Sequence, residues 1–113
     1  MAVERVPKRS TEPRFLEATF VVSPYSILED VDETATALFG YTRDELIGEH
    51  GSMLVPWDDR PSTAAAIDRM RRGEITFQPG RLMHRDGTVL DVQVHSRALP
   101  DGRLALIVRA RAA

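Results

Sequence analysis

The sequence contains no cysteine, so disulfides, thiolate metal sites and cysteine nucleophiles are all excluded. It also has no apolar run near the roughly 20 residues that cross a bilayer, and its N-terminus lacks a signal-peptide core. A net charge of −2 gives no strong field for nucleic acid or an anionic membrane. These absences favour a protein of the reducing cytoplasm that binds neither nucleic acid nor membrane.

The chain is long enough for one domain with one core, at 113 residues of which 42% are hydrophobic. Its first residues are charged, include Pro7 and Pro13, and show no sustained period. We therefore predict a flexible lead-in over residues 1–14, a single domain over 15–110 and a C-terminal tail over 111–113.

Two short capped helices are predicted back to back in the first half of the chain. Asp32 is placed to cap the first helix through its carboxylate, and Gly40 to close it in a left-handed conformation. Thr42 and Glu45 have the spacing of a capping box for the second helix, which we expect to stop at Gly48.

The remaining pattern predicts five strands and one longer helix. We expect strands over residues 19–22, 27–31, 75–85, 88–99 and 104–108, a helical turn over 15–18, and a helix that begins at Asp58 or Asp59 and ends at Gly73. Because proline removes a donor from the ladder, Pro79-Gly80 interrupts its strand and places it at a sheet edge. The last strand is apolar on both faces, as a central strand would be.

Several segments resemble the PAS domains, which are sensory modules of bacterial signalling proteins. Leu38 to Gly48 (LFGYTRDELIG) is similar to the family's signature, and Pro56-Trp57-Asp58 resembles its motif before the long helix. Arg81 to Gly87 (RLMHRDG) and Pro100 to Arg103 (PDGR) resemble its last two hairpins, so the similarity runs from about Phe20 to Arg109. The fold class is then α+β, a PAS-like five-stranded antiparallel sheet with short helices and one longer helix packed over one face.

The resemblance implies a pocket between the inner sheet face and the helices. Matching residues are chiefly apolar: Phe39, Met53, Leu54, Trp57, Ile67, Met70, Leu82, Leu90, Val92, Val94 and Leu106. The predicted function is a sensory and signal-transduction domain that binds a small molecule or a partner protein and relays a conformational change. In the alternative, these residues fill the core and the domain is a pure interaction or dimerisation module. The domain is either an input excised from a larger protein or a protein acting in trans.

The cofactor stays unknown at this point, although two classes are constrained. Without cysteine, the covalent cysteinyl-flavin of one PAS subfamily is excluded. Haem is disfavoured because some PAS domains bind it through a histidine on the long helix, and the long helix here contains none. No metal site is predicted, since His50, His84 and His95 lack metal-pair spacing.

Catalysis is not predicted, because the sequence has no nucleophile elbow, phosphate-cradling glycine loop or zincin helix. A third, enzymatic hypothesis would use His50 with Asp58 or Asp59 as acid and base. It requires a cleft in which those side chains converge.

The outer sheet face is the predicted dimer interface. Its candidate residues are Phe15, Leu16, Val89, Ala105 and Ile107, which would leave an apolar patch. Many PAS domains dimerise through this face, so the resemblance favours a homodimer, with a signalling partner protein as a further option. Alternatively, Phe15 and Leu16 fold back and cover the patch within the monomer.

Overall fold

The computed structural model describes residues 15–111, which form a single antiparallel sheet with helices over one face. In chain order the elements are β1 (Phe15–Val22), β2 (Leu28–Val31), α1 (Glu33–Phe39), α2 (Arg43–Leu46), α3 (Arg60–Arg71), β3 (Phe77–Met83), β4 (Val89–Ala98) and β5 (Leu104–Arg111). The strand order across the sheet is β2-β1-β5-β4-β3. The predicted fold class is confirmed. No helix within residues 15–111 has both the length and the hydropathy needed to span a bilayer.

The caps of α1 and α2 form as the sequence predicts. Asp32 accepts a hydrogen bond from the Ala35 amide at 2.8 Å, and Gly40 ends α1 with φ of 79°. In the capping box of α2, the Glu45 amide donates to the Thr42 hydroxyl at 3.2 Å, while the Thr42 amide donates to the Glu45 carboxylate at 2.9 Å. Because each bond engages a backbone amide at the start of a helix, both helices are defined locally.

The Glu45 carboxylate also pairs with Arg85, and this contact predicts a pH effect. The Arg85 hydrogen bond, with help from the Thr42 amide, lowers the pKa of Glu45 from 4.5 to about 2. A depressed folded-state pKa stabilises the protein above pH 4.5, and the contribution is lost as the pH falls towards 2. In acid titrations of thermal stability, Glu45→Gln should therefore lose less stability than wild type between these pH values.

Glutamine at this position keeps an oxygen that can accept from Thr42, so the comparison isolates the charge. Glu49→Gln is the matched control, since Glu49 is exposed and forms no ion pair within residues 15–111. If wild type and Glu45→Gln lose the same stability as the pH falls from 4.5 towards 2, the prediction is contradicted.

Strand β1 begins at Phe15, so the helical turn predicted over residues 15–18 is wrong. The segment pairs with β5 along its whole length, from Phe15 opposite Arg111 to Val22 opposite Leu104. Pairing with β5 gives these four residues interstrand backbone hydrogen bonds that a helical turn would not make. Strand β5 accordingly extends one residue beyond the predicted domain boundary at 110. The predicted lead-in and residues 112–113 lie outside the described residues.

Strands β3 and β5 occupy the positions predicted for them. Strand β3 is at the sheet edge, as its proline requires, and β5 is central. The expected interruption at Pro79-Gly80 does not occur, because Pro79 pairs with Gln93 and Gly80 with Val92 in an unbroken register with β4. An edge strand tolerates the missing proline donor, since only one of its sides is paired.

Arg71, in the last turn of α3, ties the helix to two turns of the sheet. Its guanidinium donates to the carbonyls of Ser23 and Gly102, both at 2.8 Å, and to the Ser26 hydroxyl at 3.0 Å. Ser23 and Ser26 belong to the β1–β2 turn and Gly102 to the β4–β5 turn. One end of α3 is therefore fixed to the ends of the central strands.

Candidate functional site

A cavity of about 230 Å³, called here the main cavity, lies between α3 and the inner sheet face. One face of the helix forms its roof: the residues are Arg60, Thr63, Ala64, Ile67 and Asp68. These positions follow the i, i+3, i+4, i+7 spacing of a single helical face. The cavity is therefore a consequence of how α3 is set over the sheet.

The floor of the main cavity is apolar, and its rim carries polar side chains from Ser26, His50 and Ser52. Sheet residues supply the floor: Phe20, Val22, Leu28, Leu82, Val94, Leu106 and Val108. The rim comes from the β1–β2 turn and the loop before α3: Ser26, His50, Gly51, Ser52, Leu54 and Val55. An apolar interior with a few polar groups at one side is typical of small-molecule sites.

His50 is held in place at this rim. Its Nδ1 atom accepts from the Ser52 amide at 3.1 Å and lies 2.9 Å from the Ser52 hydroxyl. These bonds cap the short 3-10 helix Gly51–Leu54. The imidazole is thus engaged in loop structure through one nitrogen while its residue borders the cavity.

A second cavity of about 250 Å³, the side cavity, lies between α3 and the edge strand β3. Four residues border both cavities: Thr63, Ile67, Leu82 and Val94. At its mouth, Asp59 accepts from Arg81 Nε and Nη2 at 2.9 and 2.8 Å, and this pairing lowers the pKa of Asp59. Space therefore exists on both sides of Ile67, beneath a helix that is held at its two ends.

The predicted pocket residues divide between the cavities and the packed core. Leu54, Ile67, Leu82, Val94 and Leu106 border the main cavity, and Met70 and Val92 border the side cavity. Phe39, Met53, Trp57 and Leu90 border neither. Apolar composition alone does not distinguish a side chain that lines a cavity from one that fills the core.

Phe39 and Trp57 were predicted to line the pocket, and they fail to do so for two different reasons. Phe39 is fully buried in the core, with its ring 6.0 Å from that of Phe20. Trp57 is 75% exposed, and the guanidinium of Arg60 lies 4.8 Å from its ring centroid. The indole stacks against this guanidinium and does not border the cavity.

Sequence reasoning missed most of the polar residues around the main cavity. Ser26, Arg60, Thr63 and Asp68 were not proposed for the pocket. For α3 the helical spacing could have identified them, because Ile67 was predicted to face the sheet. Residues three, four and seven positions before it lie on the same helical face: Ala64, Thr63 and Arg60. No comparable signal existed for Ser26, whose position depends on a turn with φ of 64° at that residue.

The residues of the enzymatic hypothesis are not brought together. His50 borders the main cavity, whereas Asp59 borders the side cavity and is paired with Arg81. Asp58 borders neither cavity. The cleft that this hypothesis required is therefore not formed by these side chains.

The main cavity is small for a flavin or a haem. A 230 Å³ space is smaller than the roughly 300–1,000 Å³ of sites for drug-sized ligands, and a flavin or haem is at least drug-sized. Within residues 15–111, no three histidine, aspartate or glutamate side chains are grouped in a way that could hold a metal ion. A ligand of modest size fits these residues better.

The outer sheet face carries exposed hydrophobic residues. Phe15, Val89 and Ile107 are 37–43% exposed, and Phe77, which was not predicted, is 44% exposed beside His95. Ala105 lies on this face and is half-buried. Leu16 is exposed on the opposite face, because successive strand residues point in opposite directions. The predicted patch therefore gains Phe77 and loses Leu16.

Comparison with known proteins identifies the family. The sequence model of the PAS fold matches residues 28–109. The chain belongs to the PAS family. PAS domains are in general sensory signalling modules without catalytic activity. No curated protein matches this sequence.

Solved structures agree with this assignment. A domain of a sensory box sensor histidine kinase/response regulator from Geobacter sulfurreducens is 28% identical, with a TM-score of 0.73 over 85% of this chain and 82% of that one. A PAS domain in complex with ethanol, from a LuxR-family transcriptional regulator of Burkholderia thailandensis, is 17% identical, with a TM-score of 0.66 over 83% and 88%. The LOV domain of a blue-light activated histidine kinase from Erythrobacter litoralis is 14% identical, with a TM-score of 0.69 over 85% and 95%.

Proposed function

We propose that this PAS domain is a non-catalytic sensor that binds a small molecule in the main cavity and relays a conformational change. The observation that carries the proposal is the 230 Å³ space with an apolar floor and a polar rim. The solved PAS domain in complex with ethanol shows that a related fold holds a small molecule. We retain the prediction of a cytoplasmic location.

Incomplete packing beneath α3 gives the proposed ligand a physical role. Ile67, Leu82, Val94 and Leu106 border the main cavity and pack against the core but are only partly buried. A ligand that fills the space would supply the dispersion contacts that these side chains lack. It would shift the domain towards the arrangement of α3 that it binds more tightly, since only differential affinity moves such an equilibrium.

Arg71 offers a route by which a shift of α3 reaches the sheet. Movement of the helix end changes the bonds that Arg71 makes to Ser23 and Gly102, at the ends of the central strands. The outer faces of these strands carry the exposed hydrophobic residues. We infer that ligand occupancy is read out at this outer face, by a second copy of the chain or by a partner protein.

Native mass spectrometry of the purified protein, with an absorption spectrum of the same sample, tests the proposal. We expect a homodimer and, when the ligand survives purification, a subunit mass increased by a small organic molecule. If the protein is ligand-free, titration with small apolar molecules should raise its melting temperature by mass action. A protein that is ligand-free and unchanged by every such molecule would contradict the sensor proposal.

The alternative function, dimerisation or partner binding alone, is favoured by the exposed hydrophobic residues of the outer face. Ile107 is at its centre, opposite Thr19 on β1 and His95 on β4. In an isologous dimer each substitution occurs twice, so Ile107→Glu would bury two like charges. We expect this variant to weaken dimerisation at least tenfold in analytical ultracentrifugation.

The control for this experiment is Tyr25→Glu. Tyr25 is also exposed, but lies in the β1–β2 turn and not on the outer face. It should leave the dimer intact. A dimer that tolerates Ile107→Glu must use another surface.

A further inference from the structure

The roof of the main cavity begins with a cation, Arg60, that forms no ion pair with any residue from 15 to 111. Arg60 is the first residue of α3 and is half-buried. Its Nε atom donates to the Val55 carbonyl at 3.2 Å, and its guanidinium lies over the ring of Trp57. Within residues 15–111 it forms no ion pair, and neither of its Nη atoms forms a hydrogen bond. Two contacts thus orient the guanidinium and leave its terminal nitrogens available.

The acidic residues near Arg60 form no ion pair with it in the described part of the chain. Asp59 gives both carboxylate oxygens to Arg81. Asp68 also borders the cavity, but it lies two helical turns away, about 12 Å along the axis. Asp68 is exposed, whereas Arg60 is half-buried. The cavity wall therefore carries its positive charge at the Arg60 end and its negative charge at the Asp68 end.

The cavity volume limits the size of the occupant. An apolar cavity of about 150 Å³ holds one benzene molecule, which has six non-hydrogen atoms. In proportion, a cavity of 230 Å³ holds roughly nine non-hydrogen atoms. The apolar floor requires most of these atoms to be carbon, and the polar side chains of the roof and rim allow a few hydrogen-bonding atoms.

We propose that the main cavity binds a small monocarboxylic acid, with its apolar body on the sheet floor and its carboxylate on Arg60. This inference rests on the proposed function and specifies its ligand class. The planar guanidinium presents paired donors that match the two oxygens of a carboxylate. Stacking on Trp57 and the bond to Val55 hold those donors in place before the ligand arrives, which reduces the ordering cost of binding.

Benzoate and its neutral analogue benzamide test the proposal, because they share a ring and have the same number of non-hydrogen atoms. In isothermal titration calorimetry of the full chain, we expect benzoate to bind at least tenfold more tightly than benzamide. Arg60→Gln should lower the affinity for benzoate at least tenfold and leave the affinity for benzamide unchanged. Val94→Phe, which adds bulk to the cavity wall, should weaken both.

Arg69→Gln is the matched control, since Arg69 is an exposed arginine of the same helix that does not border the cavity. It should bind benzoate as wild type does. If Arg60→Gln proves unfolded by circular dichroism, Arg60→Lys replaces it, with an expected loss of affinity from the missing paired donors.

Different failures are distinguishable. Equal affinities for benzoate and benzamide, both weakened by Val94→Phe, would overturn the carboxylate assignment and leave ligand binding intact. Preferential binding of benzylamine would also overturn it, by pointing to Asp68. Binding of neither benzoate nor benzamide overturns the inference, while the mass of the purified protein decides the proposed function separately.

Discussion

Phe39→Ala is expected to lower the free energy of unfolding by about 3–5 kcal/mol. Phe39 ends α1, is fully buried, and packs against Phe20 of the central strand β1. The surrounding structure is anchored by strands and caps, so it would collapse only partly into the space left by the ring. Urea denaturation followed by circular dichroism measures the loss, which is a large fraction of the 5–15 kcal/mol typical of whole proteins.

Tyr25→Ala is the control for this prediction. Tyr25 is 81% exposed, so its truncation should change the unfolding free energy by no more than about 0.5 kcal/mol. Equal losses for the two variants would show that Phe39, at the end of α1, is not part of the packed core.

Gly40→Ala is the second substitution with a large expected effect, about 2–4 kcal/mol. Two penalties combine at this residue. Its φ of 79° disfavours any side chain, and an added Cβ would lie 2.5 Å from Cε1 and 2.6 Å from Nε2 of His84. The ring or the helix end must therefore move. Thermal and urea denaturation of the variant measure the cost.

Gly73→Ala separates the two penalties. Gly73 has a similar φ of 73°, but an added Cβ would meet no atom of residues 15–111 within 4 Å. It should lose only the conformational part, about 1–2 kcal/mol. In a His84→Ala background, Gly40→Ala should cost about as much as Gly73→Ala. If Gly40→Ala and Gly73→Ala are equally destabilised in the wild-type background, the contact with His84 is unimportant.

The helices could be predicted from the sequence because their ends are encoded locally. The Asp32 cap, the Gly40 stop and the Thr42–Glu45 box each involve residues within a few positions of one another. Strand β1 was only half predicted for the opposite reason. Whether residues 15–18 form a turn or a strand depends on β5, which lies at the other end of the chain.

The cavity could be located from the sequence only approximately. An apolar residue type predicts burial, and Phe39 and Met70 are indeed buried. It does not predict where packing is incomplete, because a cavity depends on how far α3 lies from the sheet. The polar rim was missed because loop conformation, not residue type, brings Ser26 to the cavity.

The pairing of β1 with β5 has a consequence for biosynthesis and folding. These strands are neighbours at the centre of the sheet but come from opposite ends of the described sequence. During translation, β1 emerges first and must wait for the last strand before this edge can pair. The entropy of closing so long a loop slows folding of such topologies. Until β5 arrives, β1 presents an open apolar edge on which nascent chains are expected to aggregate.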